Sequence, residues 1–207
     1  MKEIKYLNLY AGLGGNRRSL PKNVKVTAVE LNPKIAALYK RLYPQDVLIV
    51  GDAHGYLEKH YKEFDFIWSS PPCITHTMLR HSLKNKVYPS MMLWQEIIFL
   101  QWWFKGKFVV ENVRMYYQPL IKPTVFAGRH YYWSNFDIPL FADTNSSGGG
   151  TGFFRSSSNN KESKIKMLEL LKYPKWLEKE DLGKNNQMIN NLVFPKVGLH
   201  IFNKSGL

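Results

Sequence analysis

Two residues stand out for the chemistry they could do together, a thiol and a carboxylic acid, each at the end of an apolar run. Cys73 is the only cysteine among 207 residues and follows Asp65-Phe66-Ile67-Trp68-Ser69-Ser70-Pro71-Pro72. A single cysteine excludes an internal disulfide and a cysteine-rich zinc site, so any chemical role for it is that of a nucleophile. A lone cysteine is often no more than a small buried hydrophobe, but the Pro-Pro-Cys setting argues against that here. Glu111 closes the run Phe108-Val109-Val110 and is followed by Asn112-Val113. A nucleophile and an acid facing one cleft can form a covalent adduct and manage the charge that builds up on it.

The elements that must position this pair follow from the pattern of the chain. Residues 64–68 read as a buried strand, which Pro71-Pro72 must end because neither donates an N–H to a ladder. A residue just past the carboxyl end of a strand in an open α/β sheet lies where such sheets bind ligands. A helix over Met91–Trp103, capped by Ser90, separates the two apolar runs. Parallel neighbouring strands would therefore bring Cys73 and Glu111 to one rim.

Upstream, Ile4–Leu9 is a first strand ending in Tyr10-Ala11-Gly12-Leu13-Gly14-Gly15, a glycine cradle that lets a bound molecule approach the backbone. Val24–Val29 is a second strand ending in Glu30-Leu31; Asn32 caps the next helix, with Pro33 at its first position. An acid there is placed to accept hydrogen bonds from a ribose diol. Asp46–Val50 is a third strand leading to Asp52-Ala53, where a carboxylate could accept from an exocyclic amine. The alternation predicts an α/β fold: a doubly wound, mostly parallel sheet with helices on both faces, holding a nucleoside.

Composition is that of a soluble globular chain, and no apolar run of about 18 residues suggests a membrane span. The amino terminus has no apolar core of the kind a secretion signal needs, so a cytoplasmic location is expected. The net charge of +13 favours a polyanionic partner. Residues 143–160 are rich in Ser, Gly, Asn and Thr, which reads as a mobile loop.

These residues, in this order, resemble the DNA (cytosine-5) methyltransferase family, especially its compact bacteriophage members. Leu9–Gly15 resembles the family's first motif, Ser70-Pro71-Pro72-Cys73 its catalytic Pro-Cys motif, Glu111-Asn112-Val113 its Glu-Asn-Val, and Asn191-Leu192-Val193-Phe194-Pro195 its last motif. The resemblance implies a Rossmann-like methyltransferase fold with S-adenosylmethionine as cofactor. Tyr10, Gly12, Leu13, Gly14, Gly15, Glu30, Leu31, Asp52, Ala53 and Asn191 would hold it. Cys73, Glu111 and Arg129 would be catalytic, and no metal is implied. The family's arginine motif usually has two arginines spaced by one residue, whereas here only Arg129 stands, followed by His130.

The organisation implied is a core over residues 1–137, a reduced target-recognition region over 138–186, and a C-terminal helix over 187–207 that returns to the core. Double-stranded DNA is the expected partner, with a partner protein as one source of target specificity. The chemistry expected is addition of Cys73 to C6 of a flipped cytosine, aided by positive neighbours such as Arg80 or Arg129, with Glu111 on the N3 and N4 edge. An RNA cytosine-5 methyltransferase of the same fold and a catalytically silent DNA-binding subunit are the competing readings.

Overall fold

The computed structural model describes residues 2–78, 87–139, 161–182 and 187–207. Arg80 and the Ser/Gly/Asn-rich stretch 143–160, singled out above, lie outside the described residues. The described elements are β1 (Ile4–Leu9), β2 (Val24–Glu30), α1 (Pro33–Leu42), β3 (Val47–Val50), α2 (Ala53–His60), β4 (Phe66–Ser69), α3 (Met92–Trp103), β5 (Lys107–Val113), β6 (Val125–Ala127), β7 (His130–Ser134), α4 (Lys161–Leu170), α5 (Gln187–Asn190) and α6 (Pro195–Lys204).

The strands form one sheet in the order β3-β2-β1-β4-β5-β7-β6. The first five run parallel, and β7 and β6 return antiparallel at the far edge. The order reverses between β1 and β4, the switch point at which a doubly wound sheet opens a crevice at its carboxyl edge. Strand parity decides which helix covers which face. Leu7 and Leu9 of β1 share one apolar cluster with Ala53 and Leu57 of α2 and with Leu93, Ile97 and Leu100 of α3. Tyr6 of β1 points the other way, into a cluster with Phe66, Trp68 and the α6 residues Val197, Ile201 and Phe202. Helices therefore cover both faces, as the near-continuous apolar strands require.

Three local differences from the sequence reading have simple causes. Asn32 does cap α1, its side chain accepting from the backbone amides of Lys34 and Ile35, but α3 starts one residue late. Its N-cap is Met91, and Ser90 Oγ accepts from Met92 N at 3.4 Å. The C-terminal segment 187–207, expected as one helix, is two, because Pro195 holds Phe194 extended (φ −62°, ψ 136°) and restarts the chain as α6. The short β6 carries too few residues to be seen as a strand in the sequence; its pairing with β7 creates it.

Residues 161–182 pack against the cradle and α1. Leu168, Leu171, Tyr173, Leu177 and Leu182 share an apolar cluster with Leu13 of the cradle and Leu38 of α1. Arg18 reinforces the contact, donating to the carbonyls of Leu171 and Lys172 while its guanidinium lies over the Tyr173 ring.

Candidate active site

The register of β4 with β5 pairs Ser69 with Val110, so Cys73, just beyond β4, and Glu111, one residue past Val110, stand at the same rim. The loop between them is fixed rather than free. Asn112 Nδ2 donates to the Pro71 carbonyl at 2.9 Å. Behind the thiol, the amides of His76 and Thr77 both donate to the Cys73 carbonyl, at 2.9 and 3.1 Å. A bridge between Thr77 and Met115, and a 2.6 Å hydrogen bond between His76 Nδ1 and Tyr117 Oη, tie this turn to the chain beyond β5.

Cys73 is half-buried. Burial, followed by the nearby Glu111 carboxylate, pushes its thiol above the ordinary range. The group therefore rests as a thiol at neutral pH, and its activation falls to whatever positive charge comes to lie near it during reaction.

Glu111 is buried and lies opposite Tyr132 of β7, with Val113 opposite His130. His130 is thus the diagonal neighbour of Glu111 on the same sheet face, and its Nε2 lies 3.3 Å from Glu111 Oε1. Arg129, expected as a catalytic residue that lends positive charge to Cys73, precedes the strand by one residue and is exposed, its carbonyl accepting from Arg114 N. The register of β7 on β5 brings His130 to the acid because residues two apart on a strand share a face.

The cradle at the tip of β1 turns sharply. Tyr10, Gly12 and Gly14 all have positive φ, at 56°, 53° and 66°. Glu30 at the tip of β2 is buried; its Oε2 accepts from Gly12 N and its Oε1 from Asn32 N, both at 2.9 Å. Each oxygen keeps a second lone pair for a ligand. Leu31 beside it is 68% exposed. Asp52 caps α2, accepting from Gly55 N at 2.7 Å, and is exposed, while Ala53 is buried. The C-terminal segment closes over this turn: a Cβ on Gly15 would lie 2.1 Å from the Val193 carbonyl oxygen. Asn191, two residues earlier, is exposed.

This set fits S-adenosylmethionine: an anchored acid for a diol, a second acid one strand further, an exposed apolar side chain between them, and a glycine turn at the tip of β1. Glu30, Leu31 and Asp52 would hold it against that turn. The structure keeps Cys73, Glu111 and these tips along one edge of the sheet.

One buried acid at this edge was not singled out from the sequence. Glu96 of α3 has no exposed surface. Its signal was there to read, because it is the one charged residue of the helix Met92–Trp103. Tyr10 Oη and Ser69 Oγ each donate to it at 2.5 Å, and His54 Nδ1 lies 3.1 Å from Oε1.

Among solved structures, the chain is similar to a TehB-like SAM-dependent methyltransferase from Corynebacterium glutamicum (17% identity, 55% of this chain and 56% of that one, TM-score 0.37). It is also similar to a mutant of Spodoptera frugiperda DNMT2 (23% identity, 53% and 35%, TM-score 0.37). A third is SMU.776, a methyltransferase complexed with SAH (17% identity, 54% and 31%, TM-score 0.40). The chain thus matches only between about a third and just over half of the length of each. No curated protein matches it. The family described as C-5 cytosine-specific DNA methylase matches residues 4–120, more than half of the chain, and takes in the cradle, Glu30, Asp52, Cys73 and Glu111. The protein is a member of the C-5 cytosine-specific DNA methylase family.

Proposed function

We propose that this protein transfers a methyl group from S-adenosylmethionine to C5 of a cytosine in double-stranded DNA through a covalent adduct with Cys73. The observation that carries the reading is the pairing of Ser69 with Val110, with Pro71 held by Asn112, which sets a thiol and a carboxylic acid at one rim beside the cradle. C5 of cytosine is a weak nucleophile. Addition of the Cys73 thiolate at C6 turns the ring into an enamine, and Glu111, on the N3 and N4 edge, offsets the charge that builds up. Bound in the cradle, the cofactor supplies an electrophilic sulfonium methyl. Loss of the C5 proton and departure of Cys73 restore the aromatic ring.

The thiol cannot reach C6 inside a stacked duplex, so the base leaves the stack, at a cost of a few kcal/mol that phosphate contacts from the basic surface offset. Target choice then rests on residues 138–186 or on a partner protein.

Incubation with S-adenosylmethionine and duplexes containing 5-fluorocytosine tests the reading, because fluorine at C5 prevents the final elimination. A denaturation-resistant adduct mapped to Cys73 is expected; Cys73→Ser gives none while binding the cofactor as before. An adduct on RNA alone would redirect the reading to an RNA substrate, and none on either would refute it.

A further inference from the structure

The mechanism above makes no use of Glu96, yet burying a carboxylate without purpose is costly. Its three partners come from three elements. Tyr10 follows β1 and opens the cradle, Ser69 is the last residue of β4 before the nucleophile's loop, and His54 lies in the first turn of α2. Leu9 and Ser69 are paired in the sheet, so one carboxylate joins the tips of the two central strands.

Tyr10 adds a second observation. It has φ 56°, a left-handed conformation that a bulky residue adopts only where its surroundings hold it. Its ring is partly buried against the core that includes α3, and its hydroxyl reaches Glu96 Oε1, with Met92 Sδ 3.9 Å away. The backbone turn this φ sets up places the Ala11 amide on the Val29 carbonyl, the Gly12 amide on Glu30 Oε2 and the Gly14 amide on the Ala11 carbonyl. The side chain is therefore the handle by which the cradle is held in shape. His54, which also faces Glu58, lies against the same oxygen.

We propose that Glu96 is a positioning residue: by gripping Tyr10 and Ser69 together it keeps the cofactor cradle in its binding conformation and in register with the strand that delivers Cys73. The inference rests on the proposed reading of the cradle as an S-adenosylmethionine site.

Calorimetric titration of the full chain with S-adenosylmethionine, on wild type, Tyr10→Phe, Glu96→Gln and the double variant, tests it. Tyr10→Phe, which removes one hydroxyl and keeps the ring, is expected to weaken binding about tenfold, the effect of one charge-assisted hydrogen bond. Glu96→Gln is expected to weaken it at least as much, and the double variant no more than Glu96→Gln alone, because the two act through one contact. A merely structural acid would lower the melting temperature without this pattern. Binding by folded Tyr10→Phe within about twofold of wild type, or losses that multiply in the double variant, would overturn the proposal. Should Glu96→Gln not fold, Tyr10→Phe decides alone. A wild type that binds no cofactor would remove the cradle reading itself, and this inference with it.

Discussion

The pair of groups at the rim shows how much one residue of strand offset decides. Arg129 and His130 are neighbours in the chain, but Arg129 is exposed in the turn before β7, and of the two it is His130 that lies against Glu111. The imidazole can hold the carboxyl in one rotamer, which an exposed arginine one position earlier does not do. His130→Ala should therefore reduce turnover at saturating cofactor about tenfold to a hundredfold, the loss of one close polar contact to the acid, and leave cofactor affinity unchanged. Single-turnover transfer with and without excess S-adenosylmethionine separates the two; equal loss in both would assign His130 to general structure. Cys73 shows the opposite case. Its chemical identity is plain from the sequence, whereas its environment, with partial burial and then Glu111 raising the thiol, is a property of the fold.

Between elements, the tightest fit joins α6 to the turn after the cradle. A Cβ on Gly198 would lie 2.2 Å from the Asn16 carbonyl oxygen and 2.6 Å from its Cα, both backbone atoms that cannot swing aside. Gly198→Ala should push α6 away from Asn16 and cost about 1–3 kcal/mol, in the range of overpacked interiors and in spite of the better helix propensity of alanine. A lower denaturant midpoint at unchanged slope is the expected result, and an unchanged or raised midpoint would show that α6 can slide without cost. The same junction explains why a segment near the C-terminus bears on a site built mainly from the first half of the chain. Arg17, next to Asn16, forms a two-pronged ion pair with Asp46 at 2.5 Å on each arm, joined by Tyr39 Oη at 2.8 Å. The turn, α1 and the start of β3 are thereby locked as one block.

Over the whole molecule, His54, His76 and the Cys73 thiol each link stability to pH. Glu96 holds the His54 imidazole above its ordinary value of 6.5, so its contribution is complete below that value and disappears as pH rises through the folded-state one. Cys73, also raised, acts in the same direction further into the alkaline range. Burial lowers His76, which stays neutral in the fold and costs stability as pH falls through its ordinary value of 6.5. Melting temperature should thus peak around neutrality, each group adding a slope of at most about 1.4 kcal/mol per pH unit. His54→Asn should flatten the first part of the alkaline decline and leave the acid side unchanged; a decline of unchanged steepness would mean that His54 carries no linked proton. What the sequence determined by itself were the local facts: where strands stop at prolines and glycines, that Asn32 and Pro33 start a helix, and that one thiol and one Glu-Asn-Val end two apolar runs. These are legible because each depends on residues within a few positions. Tertiary structure alone decided that His130 rather than Arg129 meets Glu111, that Glu96 joins two strand tips, and that residues 161–182 pack onto Leu13. Each of those depends on sheet register or on burial between segments far apart in the chain, and no local pattern encodes either.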